Sequence, residues 1–497
     1  MSTENDRTVR FISCLLLRHL MTYNISSSKL SPRGLWVALL LASSALTACA
    51  SAPQDAALLA DTQAAIATTS PDFATHQNWW TALGDPQLEG LMVQAFDKSP
   101  SLAIAEARLQ QAQATLSQSK AADRPQVGVN GSLGKAQQSD NYLFPPGLIP
   151  HKYLEEGQAT LNFNWELDFW GRNRAAITRA SSVARAAEAD TAQARLVLST
   201  AIASTYVDLD RLYQARDLAE RAVAIRQDSA RLVQQKLDNG VSNVAQNEQA
   251  RAAIYAAEAD LAALDEQIDL SRHLLAVLVG ETPDFADSLQ RPALKPQAMG
   301  TVPERLDLDL IGRRPDIIAA RWRAEAASAH IRQAKAAFYP NINLAAFVGY
   351  QALGFDKLFS DGSDMGQFGP AISLPLFDGG ARKAGLKSAR SEEALAIASY
   401  DQDVLVAMQQ VADTLSSQRA LHTRLARSEQ ALSAYEEAYR LNKLRYDGGL
   451  SDYTSLLVTE QSLISQRRIV SDLRSRALTL DIALIKSLGG AYAPSAN

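Results

Sequence analysis

The chain has 497 residues, 47% of them hydrophobic and 21% charged, a globular composition with enough apolar content for a large core. A formal net charge of −5 gives no basic footprint for nucleic acid, and only two cysteines, Cys14 and Cys49, exclude a disulfide framework. Beyond the first fifty residues no run of ~18 consecutive apolar residues occurs, so no transmembrane helix is expected.

Arg33 precedes an apolar run from Leu35 to Leu41, which continues through small residues to Leu46-Thr47-Ala48-Cys49. A basic flank, a short apolar core and small residues before a boundary make a secretory signal. Leu-Thr-Ala-Cys also resembles the bacterial lipobox. That resemblance implies cleavage of residues 1–48 and a covalent lipid on Cys49; an ordinary signal peptide with an incidental Cys49 is the alternative. Met21, with Lys29 and Arg33 behind it, makes a more usual start than Met1. Ala50 after the cysteine, rather than Asp, points to the outer membrane. Removing the five basic and two acidic residues of this leader leaves 44 Lys/Arg against 52 Asp/Glu, a net charge of −8.

The remainder reads as two halves with one order of elements. Residues 49–99 form an anchored N-terminal segment, with Trp79-Trp80 and a short helical pattern at Leu88–Phe96. Residues 100–280 are a first repeat, 281–312 a linker, 313–490 a second repeat and 491–497 a tail. Three intervals match between the halves: Pro100 to Pro125 and Pro315 to Pro340 are each 25 residues, Gly171 to Gly240 and Gly380 to Gly449 each 69, and Gly240 to Gly280 and Gly449 to Gly489 each 40. Matched spacing of this kind implies an internal duplication.

Each half opens with a helix between its prolines, since Pro is tolerated at the first turn and ends a helix from beyond it. Two alternating stretches follow. Val127, Val129, Gly131 and Leu133 share one face of the first; Leu161, Phe163, Trp165, Leu167 and Phe169 share one face of Ala159–Phe169. The second half offers Ile342 to Tyr350 and then Phe368, Pro370, Ile372, Leu374 and Leu376. These are period-two strands of about 9–11 residues, the length of a tilted membrane strand, although a soluble sandwich also alternates. Pro375 is awkward within a strand and suggests a bulge. Four strands cannot close a barrel, and lipid tolerates no open edge, so several copies must close one together. The connections Gln137–Gly157, with Pro145-Pro146-Gly147, and Leu353–Gly366 suit the outside.

The 69-residue intervals lack proline and are rich in Ala, Leu, Arg, Gln and Glu, so each reads as one helix on the order of 100 Å long. From Leu198, steps of four and three visit Ile202, Thr205, Leu209, Leu212, Arg216, Ala219, Val223, Arg226, Ala230, Val233 and Leu237. That is a 3.5-residue seam with Arg216 and Arg226 as polar interruptions. After each glycine tip a return helix stacks on the first short helix to match the long one, giving one continuous and one broken rod. The fold is therefore mainly α, with a transmembrane β-barrel portion.

At this point four motifs occur together: Trp-Glu-Leu-Asp-Phe-Trp-Gly-Arg (Trp165–Arg172), Arg-Arg-Pro-Asp-Ile (Arg313–Ile317), Leu-Pro-Leu-Phe-Asp-Gly-Gly (Leu374–Gly380) and the lipobox. In this combination the chain resembles the TolC-like outer-membrane efflux lipoproteins of the OprM/NodT type, over roughly Asn78 to Gly490. The resemblance implies a homotrimer with a twelve-stranded barrel and a helical tunnel across the periplasm. It also implies a periplasmic adaptor protein and an inner-membrane transporter of the RND type, usually proton-driven. The two tips become the periplasmic entrance, with Arg445, Asp452 and Tyr453 as gate residues; the alternative is that Asp452 only caps its helix and Tyr453 only packs. Gly240, Val241, Ser242, Gly449, Leu450 and Ser451 become adaptor contacts. The first tip carries Asn243 where the second has Asp452, so an acidic ring would come from one hairpin only. Glu166 and Asp168 face away from the apolar side of their strand, hence into the lumen of a cation-favouring pore; the alternative for Asp168 is a cap on the long helix.

Nothing in the sequence suggests an enzyme. The six histidines have no ligand spacing, and no phosphate-cradling loop or nucleophile elbow occurs. No cofactor is expected beyond the lipid on Cys49. The reading is a passive exit channel for drugs or other small toxic compounds. A type I secretion or metal-efflux channel is one alternative, and a periplasmic coiled-coil structural lipoprotein without a pore is the other.

Overall fold

The computed structural model describes residues 78–137, 139, 152–295, 312–490 and 492. The chain divides into units of residues 1–68 and 69–497, and every described residue belongs to the second. The leader, Cys49 and Pro145-Pro146-Gly147 lie outside the described residues.

A 3-10 turn at Trp79–Leu83 leads into α1 (Pro86–Lys98) and α2 (Pro100–Ala122), each with proline at its first turn. Asp85 caps α1 by accepting from Gln87 N at 2.9 Å. Strands β1 (Gln126–Ala136) and β2 (Leu154–Glu166) follow, then the helix α3 (Arg172–Asp238) and its return α4 (Val244–Val279). The second half has α5 (Pro315–Ala336), β3 (Asn341–Leu353), β4 (Asp364–Ser373), α6 (Ala381–Asp447) and α7 (Tyr453–Ser487). Helices α3 and α6 are each 67 residues long, about 100 Å at 1.5 Å per residue.

Helix α3 is the spine. It packs against α2, α4, α5 and α7, while α6 packs against α5 and α7. Leu198, Ile202, Leu209, Leu212 and Val233 are buried, as the 3.5-residue seam requires. The main core gathers where α1 crosses α3 and α4, around Trp80, Leu88, Met92, Ile202, Tyr206 and Leu275. Tyr206 donates its buried hydroxyl to Asp85 Oδ2 at 2.7 Å, and Ala293 N donates to the same oxygen at 2.6 Å. One carboxylate therefore ties the start of α1 to the spine and to the segment after α4. The two long helices differ sharply in burial. Helix α3 buries 21 residues and α6 only six, among them Ala389, Ala407 and Val411.

The four strands form one antiparallel sheet in the order β1-β2-β3-β4, with β1 and β4 at its edges. Its register sorts most side chains by polarity, Phe347 between Asn162 and Gln367 being an exception. Val127, Phe163, Ala346 and Phe368 make one row, Val129, Leu161 and Val348 the next, and Trp165, Leu344 and Pro370 a third. The other face carries Asn164, Asn162 and Gln367. Much of the apolar face is exposed, with Phe368 88% and Val129 77% exposed, while Phe359 packs on Tyr350 at one end of it.

Strand ends differ from the sequence expectation. Strand β2 stops at Glu166, so Leu167, Asp168 and Phe169 lie beyond it despite continuing the alternation. Leu167 N still donates to Ile342 O at 2.9 Å, after which the chain turns toward α3. Strand β4 begins at Asp364 and stops at Ser373, leaving Leu374, Pro375 and Leu376 outside the sheet. Pro375 therefore interrupts no ladder. The proline within a strand is Pro370, and it sits on an edge strand, where a missing donor is tolerated.

Candidate functional site

Both tips use the same backbone device. In the first, Gly240 N donates to Leu237 O at 2.9 Å and Val241 N to Lys236 O at 2.8 Å. In the second, Gly449 N donates to Tyr446 O at 3.1 Å and Leu450 N to Arg445 O at 2.8 Å. This paired closure needs a left-handed residue, and the two glycines supply it with φ of 71° and 73°. The residue after the glycine usually packs back on its own helix. Here it does not: Val241 and Leu450 are each 75% exposed. Ser242 turns inward, donating to Gln246 Oε1 at 2.6 Å, and Ser451 is half-buried.

The return helices start on caps of different charge. Asn243 accepts from Gln246 N at 2.9 Å, and Asp452 accepts from Ser455 N at 2.7 Å. That backbone bond holds the Asp452 carboxyl below the usual carboxylate range. Asp452 and Arg445 are exposed. Tyr453 is not beside them on the surface. It is 1% exposed and packs with Tyr446, Val233 and Leu456 in a small apolar cluster joining the two hairpins. Burial pushes its hydroxyl up to about 12, and the hydroxyl has no hydrogen-bond partner among the described residues. Within one chain the structure thus brings Arg445 and Asp452 to the open tip and places Tyr453 in packing.

The sequence reading missed one charged pair near the tips. Arg226, seen only as a polar interruption of the seam, meets Glu460 of α7 at 3.4 Å. Both are buried, and Ser229 Oγ donates to Glu460 Oε2 at 3.1 Å. The i, i+3 spacing of Arg226 and Ser229 on one face of α3 was legible, but the partner comes from the other half.

At the opposite end, the strand–helix junction, the two acids separate in role. Glu166 ends β2 and approaches Arg172 at 3.6 Å. Asp168, expected on the same strand face, lies past the strand and accepts from Arg174 N at 2.9 Å and Arg174 Nε at 3.3 Å. Burial raises its carboxyl, but the backbone bonds from Arg174 and Asn173 and the Arg174 guanidinium outweigh this and hold it low. Asp378 does the same before α6, accepting from Gly380 N at 3.0 Å and Arg382 N at 3.1 Å. These carboxylates offset the positive helix starts, where neither α3 nor α6 has an acid in its first turn. Trp170 stacks on Tyr339 at 4.7 Å beside this junction.

Among the described residues, no group of three His, Cys, Asp or Glu is placed to hold a metal, and no helix is long and apolar enough to cross a membrane.

Known proteins share this arrangement. The model of the family described as outer membrane efflux protein matches residues 91–281 and 309–490. The multidrug resistance outer membrane protein MdtP of Shigella flexneri is 32% identical over 425 residues, 83% of this chain and 86% of the relative. The cation efflux system protein CusC of Escherichia coli O157:H7 is 26% identical over 90% of this chain and 97% of its own length. Among solved structures, the outer membrane protein VceC of Vibrio cholerae superposes with a TM-score of 0.79 at 40% identity, covering 84% of this chain and 100% of that one.

Proposed function

Because the chain belongs to the outer membrane efflux protein family, we propose that it is the passive outer-membrane exit channel of a tripartite efflux system. Such channels are not enzymes. They act with a periplasmic adaptor and an inner-membrane transporter, which supplies the energy. The observation that carries the reading is the pairing of a largely exposed apolar sheet face with helices about 100 Å long. A sheet with two open edges is not viable in lipid. Its closure by copies of the chain supports a homotrimer whose four strands per chain make a twelve-stranded barrel, and the thinly buried α6 supports the same packing between copies.

On this reading Cys49 carries the lipid anchor, and the matched halves descend from a duplication. The tips form the periplasmic entrance. Val241 and Leu450, held out beside Gly240, Ser242, Gly449 and Ser451, meet the adaptor, while Arg445 and Asp452 line the gate. Glu166 faces the lumen. The transporter is proton-driven, and the cargo is drugs or other small toxic compounds, as the name of the MdtP relative suggests. A cation cargo is the second reading, favoured by the CusC relative. Deleting the gene and challenging cells with antibiotics and metal salts tests both. Sensitivity to antibiotics alone supports the first and sensitivity to metals alone the second. Unchanged sensitivity to both, with no conductance from the purified protein in planar bilayers, removes the channel reading.

A further inference from the structure

Where the sheet gives way to the long helices, the chain forms a cavity of about 330 Å³, within the size range of small-molecule sites. Its wall includes Glu166 at the end of β2, Asn341 at the start of β3 and Ser373 at the end of β4. The register puts all three on one face of the sheet, since Glu166 pairs with Asn343 and Asn341 with Ser373. Side chains two apart along a strand share a face, so this is the face of Asn164 and Asn162. The cavity therefore sits at the foot of the polar face, away from the apolar rows.

Trp170 and Tyr339 form its aromatic wall, stacked with ring centroids 4.7 Å apart and planes 16° from parallel. Trp170 Nε1 donates to Pro340 O at 2.8 Å, which fixes the indole. Both rings remain open, Trp170 42% and Tyr339 51% exposed. A flat apolar group would meet a surface already built, with little ordering left to do.

The polar wall has acceptors to spare. Asp168 is engaged by Arg174, and Arg382 by Asp378 at 2.6 Å. Glu166 stands 3.6 Å from Arg172, too far for a hydrogen bond. Asn341 Oδ1 is buried and has no donor among the described residues. Acceptors beside an aromatic surface call for a donor carried on a ring. An ammonium supplies several such hydrogens and a charge opposite to that of Glu166. An anion could turn to Arg172, but it would leave Asn341 Oδ1 unpaired and stand beside Glu166 and Asp168.

We propose that this cavity is a way-station for cargo, holding aromatic compounds with a protonated amine as they pass from the helical tunnel into the barrel. The ring lies against Trp170 and Tyr339, and the ammonium donates to Glu166 and Asn341 Oδ1. Residence is brief, because a passage must release what it binds. The proposal rests on the channel reading and names the class of compound that the passage favours.

Its test is single-channel recording of the full-length protein in planar bilayers at neutral pH with three probes. Naphthylmethylamine has the ring and the charge, naphthylmethanol the ring alone, and cyclohexylmethylamine the charge without the aromatic ring. Current interruptions by naphthylmethylamine are expected to last about tenfold longer than those by either control. Glu166→Gln should shorten them toward the naphthylmethanol value and Tyr339→Leu toward the cyclohexylmethylamine value, while Tyr339→Phe, which keeps the stack, should retain them. Asn341→Asp should lengthen them. Interruptions of equal length for the three probes overturn the proposal and leave the channel reading in place. So do naphthylmethylamine interruptions that neither Glu166→Gln nor Tyr339→Leu shortens. Should Tyr339→Leu fail to conduct, Asn341→Asp decides, and interruptions no longer than in the natural chain overturn the proposal. A natural chain that never conducts removes the channel reading and this proposal with it.

Discussion

If the apolar face of the sheet meets lipid, a charge placed on it should cost more the deeper it lies. Leu161 is the test position. It is mid-strand in β2, flanked in register by Val129 and Val348, and all three are exposed. Arginine at the midplane of a membrane barrel costs about 2–4 kcal/mol, falling to about 0–1 kcal/mol near the interface. Leu161→Arg should therefore weaken folding into vesicles by roughly 30- to 1,000-fold. Ile372→Arg, on the same face but one residue from the end of β4, should cost at most about 1 kcal/mol. Asn162→Arg, on the opposite face beside Gly128 and Phe347, should cost little if that face is wet. The assay is urea-dependent folding into lipid vesicles, followed by tryptophan fluorescence and by the gel shift between folded and heated protein. Equal costs for Leu161→Arg and Ile372→Arg would refute the depth argument, because a dry protein core has no such gradient along a strand. So would a larger cost for Asn162→Arg than for Leu161→Arg.

Tyr206→Phe removes the buried hydroxyl that binds Asp85 and should lower stability by about 1.5–3 kcal/mol, read as a shift in the unfolding midpoint of the helical region. Asn243→Ala removes the cap on α4 and should cost about 0.5–2 kcal/mol, with Asn243→Asp restoring most of it. Glu166→Gln should reduce cation preference in reversal-potential measurements, whereas Asp168→Asn should leave selectivity nearly unchanged, since its carboxylate is engaged by Arg174. Because Asp168 is held low, its stabilisation is present above the ordinary carboxylate pKa and is lost as pH falls through its depressed value; Asp168→Asn should flatten that acid limb of the stability profile. Cys49→Ser should release the mature chain from acylation, seen as the loss of the lipid mass from the purified protein.

The helices were legible because their ends are marked by residues with few options. Pro100, Pro315 and the left-handed glycines at 171, 240, 280, 380, 449 and 489 fix where helices begin and end, so lengths followed from spacing alone. Strand ends carried no such marks. The alternation of Leu167 and Phe169, and of Leu374 and Leu376, runs on after the backbone has left the sheet, so period alone overextended β2 and β4. The tip glycines, a cap from Asp452 and a packing role for Tyr453 were visible, but what covers Tyr453 was not, because the cover includes Tyr446 and Val233, the latter from the other hairpin. Arg226 stood out as a charge in an apolar seam. Its partner could not be found by spacing, because Glu460 is 234 residues away in the other half.

The central claim is that copies of this chain close an open sheet into one barrel. Hydrogen–deuterium exchange on the full-length protein in lipid vesicles tests it most directly, by comparing the edge strands β1 and β4 with the interior strands β2 and β3. Closure predicts that amides of Gln126–Ala136 and Asp364–Ser373 are protected as strongly as those of Leu154–Glu166 and Asn341–Leu353, with a mass of three chains in the same preparation. Rapid exchange along β1 and β4, with protection confined to β2 and β3, would contradict it.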